Sequence, residues 1–261
     1  MKTTLLLACL ALCTTAPLVH AADAPDDGNP AVVPYRPSVS TPAQLSAPGW
    51  LELEAGGLRA TGPDSGTSRL TLPYTLKLAF TPDWGVRIGG DAWVRQDGFG
   101  ARESGSGDTS VVLKRRFAVS DATAWGLELG EKFATAGSSL GSGRPDTTVN
   151  AIFSSDFAPA WHTDINLDET RLGVASGQPR QWQTGWAAAV SRTLGDTWGA
   201  VGEFSGTHQS GTPSSAQFLV AASWNQSPAA VFDFGLAHGL NDASPRFQVF
   251  AGVTVRLAKL F

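Results

Sequence analysis

The stretch that decides the fold is Phe247-Gln248-Val249-Phe250-Ala251-Gly252-Val253-Thr254-Val255-Arg256-Leu257-Ala258-Lys259-Leu260-Phe261. Phe247, Val249, Ala251, Val253, Val255, Leu257 and Phe261 share one parity. Gln248, Phe250, Gly252, Thr254, Arg256 and Ala258 share the other. In an extended chain, successive side chains point to opposite faces, so this is a strand with one apolar and one mixed face. Working back along the chain, Leu70, Leu72, Tyr74, Leu76, Leu78 and Phe80 oppose Thr71, Thr75 and Lys77. Val86, Ile88, Gly90, Ala92 and Val94 oppose Arg87, Gly89, Asp91, Trp93 and Arg95. Trp161, Thr163, Ile165 and Leu167 oppose His162, Asp164, Asn166 and Asp168. No segment after Trp50 has the helical period.

Counted this way, twelve strands are expected near 49–60, 68–81, 85–97, 108–119, 123–135, 146–157, 160–171, 180–193, 197–208, 215–226, 229–240 and 246–260. They are long for globular strands and long enough to cross a bilayer when tilted. Their connections alternate. Short turns occur at Thr81-Pro82-Asp83-Trp84, Ser120-Asp121-Ala122, Ala158-Pro159, Leu194-Gly195-Asp196 and Ser227-Pro228, with longer loops such as 98–107 and 136–145 between them. Short turns at one end and longer loops at the other describe an all-β, up-and-down antiparallel transmembrane barrel. Twelve is even, so both barrel ends fall on the short-turn side, which such barrels keep in the periplasm. Trp84, Trp125, Trp161 and Trp198 each follow a short turn, as an aromatic girdle would. Phe261, ending a strand with alternate apolar residues, resembles the signal read by the barrel assembly machinery of outer membranes.

Composition agrees. Only 16% of the 261 residues are charged, the formal net charge is −4, and there are 29 Gly and nine Trp. The absence of basic blocks disfavours a nucleic-acid partner, and the aromatics disfavour a disordered chain. Closure leaves no strand edge in lipid, where each unpaired backbone group costs several kcal/mol.

Two segments precede the barrel at 49–261. Residues 1–21, with Lys2, an apolar run from Leu5 to Val19 and Val19-His20-Ala21, read as a signal peptide for Sec-type export. Cleavage is expected after Ala21, with Ala22 as the alternative. Cys9 and Cys13 lie inside it, so the mature chain has no disulfide and no thiolate metal site. Residues 22–48 contain Pro25, Pro30, Pro34, Pro37, Pro42 and Pro48 and read as an extended periplasmic lead-in. Tyr35-Arg36-Pro37 is a candidate anchor, on the barrel or inside it, against the alternative of a flexible linker.

With the apolar faces outward, the lumen-lining candidates are Glu52, Glu54, Asp91, Glu128, Asp164, Asp168, Glu203 and Asp233, with Lys77, Arg87, Arg95, Lys114, Arg116, Lys132 and Arg256. The bases gather early in the barrel and the acids late. Such an arrangement either sets a transverse field across a pore or fills the barrel with ion pairs. Small inward residues, including Gly126, Gly130, Gly185, Ala187, Ala189, Ser191, Ala221, Ser223, Gly235 and Gly252, favour a pore. Eight strands are filled by side chains and sixteen leave a wide channel, so twelve suit a narrow one.

Little points to catalysis. His208-Gln209-Ser210 has a His-x-Ser spacing like that of outer-membrane phospholipases, and His162-x-Asp164 lacks a second ligand cluster. No metal, cofactor or catalytic residue is expected. Gly105-Ser106-Gly107 and Gly141-Ser142-Gly143 precede no helix and read as loop glycines.

Several motifs together resemble the proteobacterial family labelled putative MetA-pathway of phenol degradation. They are Tyr35-Arg36-Pro37-Ser38-Val39-Ser40, Pro42-Ala43-Gln44-Leu45, Pro48-Gly49-Trp50-Leu51-Glu52-Leu53-Glu54, Leu72-Pro73-Tyr74 with Lys77-Leu78, Gly105-Ser106-Gly107-Asp108-Thr109 with Leu113-Lys114-Arg115-Arg116, and Gln248 to Thr254. The resemblance implies an outer-membrane barrel passing small or aromatic compounds, and it supplies no catalytic residues. The expectation is a narrow passive channel for small-molecule solutes in a Gram-negative outer membrane, surrounded by its lipid. A filled structural barrel or adhesin, and a lipid hydrolase, are the alternatives.

Overall fold

The computed structural model describes residues 29–62, 66–98, 101–137, 140–173 and 181–261. The expected signal peptide and its expected cleavage site lie outside the described residues. The strands are β1 (Trp50–Thr61), β2 (Ser68–Ala79), β3 (Trp84–Gly98), β4 (Ala101–Gly105), β5 (Thr109–Ala118), β6 (Thr123–Phe133) and β7 (Asp146–Ala158). They continue as β8 (Trp161–Arg171), β9 (Trp182–Leu194), β10 (Trp198–Gln209), β11 (Ser215–Ser227), β12 (Ala230–Gly239) and β13 (Phe247–Lys259). Twelve of them form one antiparallel ring that closes where β13 pairs with β1. All twelve start and stop within two residues of the expected positions. Among the described residues there is no helix.

Strand β4 lies inside 98–107, which the sequence presents as a loop. It folds back only on the loop end of β3, from Gly98↔Ala101 to Val94↔Gly105, while β5 takes the lower half of β3. Its polar Arg102-Glu103-Ser104 carries no alternation to reveal it. It forms because β3 outruns its neighbour and leaves backbone groups unpaired at the rim.

Cross-strand partners share a face, so the register fixes what points inward. Glu52 lies opposite Lys77, Lys77 opposite Arg87, and Lys114 opposite Glu128. One expected inward residue is corrected. The register slips between Leu72 and Pro73, where Ala92 is the extra residue on β3. A bulge of one residue reverses the alternation beyond it. Arg95 therefore faces outward beside Leu70, and buried Val94 takes the inward place opposite Thr71. Arg95 binds Asp97 at 2.9 Å at the loop rim.

Leu127, Leu129, Ile165, Leu167, Phe232, Phe234 and Leu236 are exposed on the outer wall, as a lipid-facing band requires. The expected girdle tryptophans Trp84, Trp125, Trp161 and Trp198 are all exposed at the short-turn rim. Trp224 joins them, stacked on Trp198 at 6.3 Å and on Phe232 at 5.7 Å. Exposed Trp182, Trp186, Phe133 and Phe247 mark the opposite rim. On the described strands, outward charges occur only near these rims: Arg59, Arg95, Asp97, Arg102, Glu131, Glu169 and Arg171 at the loop end, Arg115 and Arg192 at the turn end. This spares the roughly 2–4 kcal/mol that Lys or Arg costs at the bilayer midplane.

Candidate functional site in the lumen

The chain enters the barrel at Gly49, which has φ +80 and accepts a hydrogen bond from Leu260 N at 2.7 Å. A Cβ on Gly49 would stand 2.4 Å from the carbonyl oxygen of Phe261, so a side chain does not fit there. What precedes Gly49 decides the character of the lumen. Residues 29–48 do not stand outside the barrel. They run up its inner wall from the short-turn end, turn near mid-height, and return.

The ascending arm is held by inward acids. Arg256 donates to the carbonyl of Pro30 and, at 3.2 Å, to Asn29 Oδ1. Val32 N donates to Pro228 O at 2.9 Å, in a short turn. Val33 N donates to both oxygens of Glu52 at 3.3 Å, and Tyr35 N to Glu54 Oε1 at 2.6 Å. Arg36 forks onto Asp233, Nε to Oδ2 at 3.0 Å and Nη2 to Oδ1 at 2.9 Å. Its guanidinium lies in a slot over two glycines. A Cβ on Gly252 would meet Arg36 Nε at 2.5 Å, and one on Gly56 would meet Nη2 at 2.9 Å. The Arg36–Pro37 peptide is cis.

The apex rests on β10. Glu203 is fully buried and accepts three hydrogen bonds: from Val39 N at 3.1 Å, Ser40 N at 2.9 Å and Ser40 Oγ at 2.8 Å. On the way down, Thr41 exchanges two 2.9 Å bonds with the Asn166 amide. Ala43 N donates to Ser154 Oγ at 2.7 Å, and Lys114 donates to the carbonyl of Pro42. The arm ends beside β2, where Pro48 bridges Ala79. Ala43 packs with Ala124 and Ile152 in one of the few apolar clusters inside the barrel.

A second layer of charge braces this segment. Lys77 lies 3.0 Å from Glu52 and 2.7 Å from Glu54, and Lys114 lies 3.4 Å from Glu128. Arg87 adds a 2.9 Å pair to Glu128, and Asn150 donates to the same carboxylate at 3.0 Å. The Tyr35 ring sits between the two ammonium groups, each 4.3 Å from its centroid. Buried ions are tolerated only where partners and hydrogen bonds offset desolvation, which this network supplies.

These contacts correct the picture of a basic wall facing an acidic wall across a void. Lys77 and Lys114 pair with acids on adjacent strands, Arg87 reaches Glu128 two strands away, and the distant acids Glu203 and Asp233 hold the inserted segment. The small inward residues are corrected in part as well. A side chain on Gly252 would run into Arg36, so that space belongs to the segment, while one on Gly126 would first meet Ile152 of the wall at 3.2 Å, with Ala43 at 3.4 Å. Of the fifteen residues expected to line the lumen, Arg87, Asp91, Glu128, Lys132, Asp164 and Asp168 border sizeable cavities. Glu52, Glu54, Lys77, Lys114, Glu203 and Asp233 are buried. Arg116 shares the inward face at the turn end, opposite Gly126, and Arg256 caps the start of the ascending arm over the Trp50 ring at 4.7 Å.

Open space remains on both sides of the segment. On the loop side lie cavities of about 440 Å³ and 640 Å³, which share Arg87, Ser110, Val112 and Lys132 in their walls. The first includes Val39 and Thr41 of the apex, with Asn166, Asp168, Ala187 and Ser205. On the turn side a cavity of about 250 Å³ is bounded by Pro34 to Ser38, Ser40 and Pro42, with Asp164, Ala189 and Ser191. No residue lines both the 440 Å³ and the 250 Å³ cavity, and the segment borders each of them.

The loop-side mouth has its own latch. Asp108 accepts bonds from Ala136 N at 3.0 Å and Ser142 N at 3.4 Å, and Lys132 lies 3.4 Å away. Partial burial works to raise its carboxyl. The two backbone donors and Lys132 outweigh that and hold it below the usual carboxylate range. The latch is therefore charged at neutral pH, and what it contributes is lost as pH falls through the lowered value. Asp108→Asn is expected to raise amide hydrogen exchange at Ala136 and Ser142 at pH 7, with little change in barrel stability. Unchanged exchange would refute the latch.

The sparse catalytic signals do not converge. His208 faces outward opposite Thr184, and its Nδ1 lies 2.8 Å from Ser214 Oγ, not from the expected Ser210. His162 lies between Asp156 at 2.6 Å and Asp164 at 3.1 Å. Among the described residues no His, Cys, Asp and Glu group is placed to hold a metal ion.

No family model matches this chain, and no curated protein matches it. The phenol-degradation name stays a resemblance. Solved structures do share the fold. The COG4313 outer membrane channel from Pseudomonas putida F1 superposes with a TM-score of 0.66 at 13% identity, covering 82% of this chain and 98% of that one. The NanC porin gives 0.57 at 10% identity, over 80% and 99%. The KdgM porin gives 0.57 at 8% identity, over 79% and 99%. At these identities the likeness establishes a common architecture, the closed barrel of outer-membrane channels.

Proposed function

We propose that the protein is a passive channel of a Gram-negative outer membrane, narrowed by its own N-terminal segment. The observation that carries this is the lumen itself, with cavities of about 440 Å³ and 250 Å³ on opposite sides of one inserted segment. A barrel filled for strength alone has no need of space at both ends. The loop-side wall mixes Arg87, Asp168 and Asn166 with Val39, Val112, Ala187 and Pro245. That lining suits small solutes with a polar group and an apolar body, aromatic compounds among them. Solute would move down its gradient, with the apex at Val39 to Thr41 as the constriction.

The second reading, a structural barrel or adhesin, is favoured by one observation: every arm of the segment is bonded to the wall. Planar-bilayer recording of the folded mature protein separates the two. Small stepwise currents are expected, well below those of a sixteen-stranded porin. Folded protein that inserts and gives no steps overturns the channel reading. Vesicle swelling with small aromatic acids then tests solute class.

A further inference from the structure

The outer wall carries a repeated arrangement that the lumen does not explain. Trp84 opens β3 after a short turn, and Arg115 lies directly across from it on β5. Trp161 opens β8 after another short turn, and Arg192 lies directly across from it on β9. In each case the guanidinium sits over the indole, at 5.1 Å for Arg115 and 5.0 Å for Arg192. Arg115 also lies 4.7 Å from the Phe117 ring.

Both arginines sit among exposed apolar side chains. Arg115 has Trp84, Phe117 and Leu127 around it, and Arg192 has Trp161, Val190 and Leu194. Neither forms an ion pair with a described carboxylate. At the loop rim, by contrast, Arg95 and Arg102 both bind Asp97. Arg115 and Arg192 are also the only outward charges on the described strands at the turn end.

We propose that Arg115 with Trp84 and Phe117, and Arg192 with Trp161, are two docking sites for the phosphodiester group of membrane phospholipid. At the edge of the apolar band an arginine costs far less than at the bilayer midplane. Its stem lies along the apolar wall while the planar head reaches the headgroup layer. A guanidinium presents paired donors that match two phosphate oxygens. The indole beneath each one holds the guanidinium at the wall by cation–π attraction. The sites rest on the barrel lying in a bilayer and not on what passes through it.

The test is native mass spectrometry of the folded protein in uncharged detergent with added dioleoylphosphatidylglycerol. Wild type is expected to retain two tightly held lipids. Arg115→Ala and Arg192→Ala should each lose one, and the double variant both, with heat-modifiable gel mobility showing that the barrel is folded. Should an alanine variant fail to fold, Arg115→Gln and Arg192→Gln keep the volume and remove the charge, and the same losses are expected. Dioleoylglycerol, which lacks the phosphate, should not be retained, and inorganic phosphate at millimolar concentration should not displace the bound lipid. Equal retention by wild type and the folded double variant overturns the proposal. Retention of dioleoylglycerol, or displacement by inorganic phosphate, also overturns it. Channel currents of the double variant should match wild type, so the proposal stands or falls apart from the channel reading.

Discussion

Glu203→Gln is expected to raise single-channel conductance several-fold and to make residues 38–42 accessible to protease. Glu203 is buried without a cationic partner among the described residues and meets three donors of the apex: two backbone N–H groups and the Ser40 hydroxyl. Hydrogen bonds to a charged acceptor contribute about 1.5–3 kcal/mol each. Glutamine keeps one acceptor oxygen and turns an NH₂ toward the remaining donors. The apex loses one or two such bonds and gains a donor facing a donor. That is enough to move a bound segment from nearly always seated to frequently released, because each 1.4 kcal/mol is tenfold in population. The lower arms remain held by Glu52, Glu54 and Asp233, so the opening is confined to the constriction. Conductance and protease sensitivity that both match wild type would show that the apex does not control the pore.

The contrast between what could and could not be read in the sequence has a physical origin. Strand positions were legible because a wall between lipid and lumen imposes a strict two-residue alternation, seen at its clearest in Phe247 to Arg256. The girdle tryptophans were legible because short turns recur. Arg95 was misplaced because a bulge at Ala92 shifts parity by one, and nothing in Asp91-Ala92-Trp93 announces it. The inserted segment was half legible. Tyr35-Arg36-Pro37 stood out as an anchor, but its partners Asp233, Glu54 and Lys114 are far away in sequence and come together only when the barrel closes. Inward glycines gave the same ambiguity. Gly252 leaves room for Arg36, while Gly185 leaves room for the carboxylate of Asp168, 2.2 Å from where a Cβ would lie. A small residue marks space and does not say what takes it. The charge count shows the same limit. Eight inward acids and seven inward bases suggest a field across a pore, yet residue-by-residue pairing turns most of them into the clasp around one segment.

The largest loss of stability is expected from Lys77→Met. Lys77 is 3% exposed and lies within 3.0 Å of two carboxylates, Glu52 at 1% and Glu54 at 4% exposure. It also donates to the carbonyl of Val33, which joins the barrel wall to the ascending arm. Removing one partner from a buried ion pair costs about 3–5 kcal/mol, because the remaining charge stays desolvated. Here two carboxylates, two residues apart on the inward face of β1, are left side by side without a cation. Each retains a backbone donor, Val33 N for Glu52 and Tyr35 N for Glu54, but neither donor supplies charge. Lys77→Met should therefore lower the urea midpoint of the barrel in detergent and release Val33 to Tyr35 from the wall. The triple variant Glu52→Gln, Glu54→Gln, Lys77→Met separates charge from packing. It has neutral amides in place of the two acids and no ammonium to balance. If the single variant fails through uncompensated charge, the triple variant recovers most of the lost stability. If the triple variant is as unstable as the single one, the lysine acts through its bond to Val33 and its place beside the Tyr35 ring, and the ion pairs are not what holds this side of the segment.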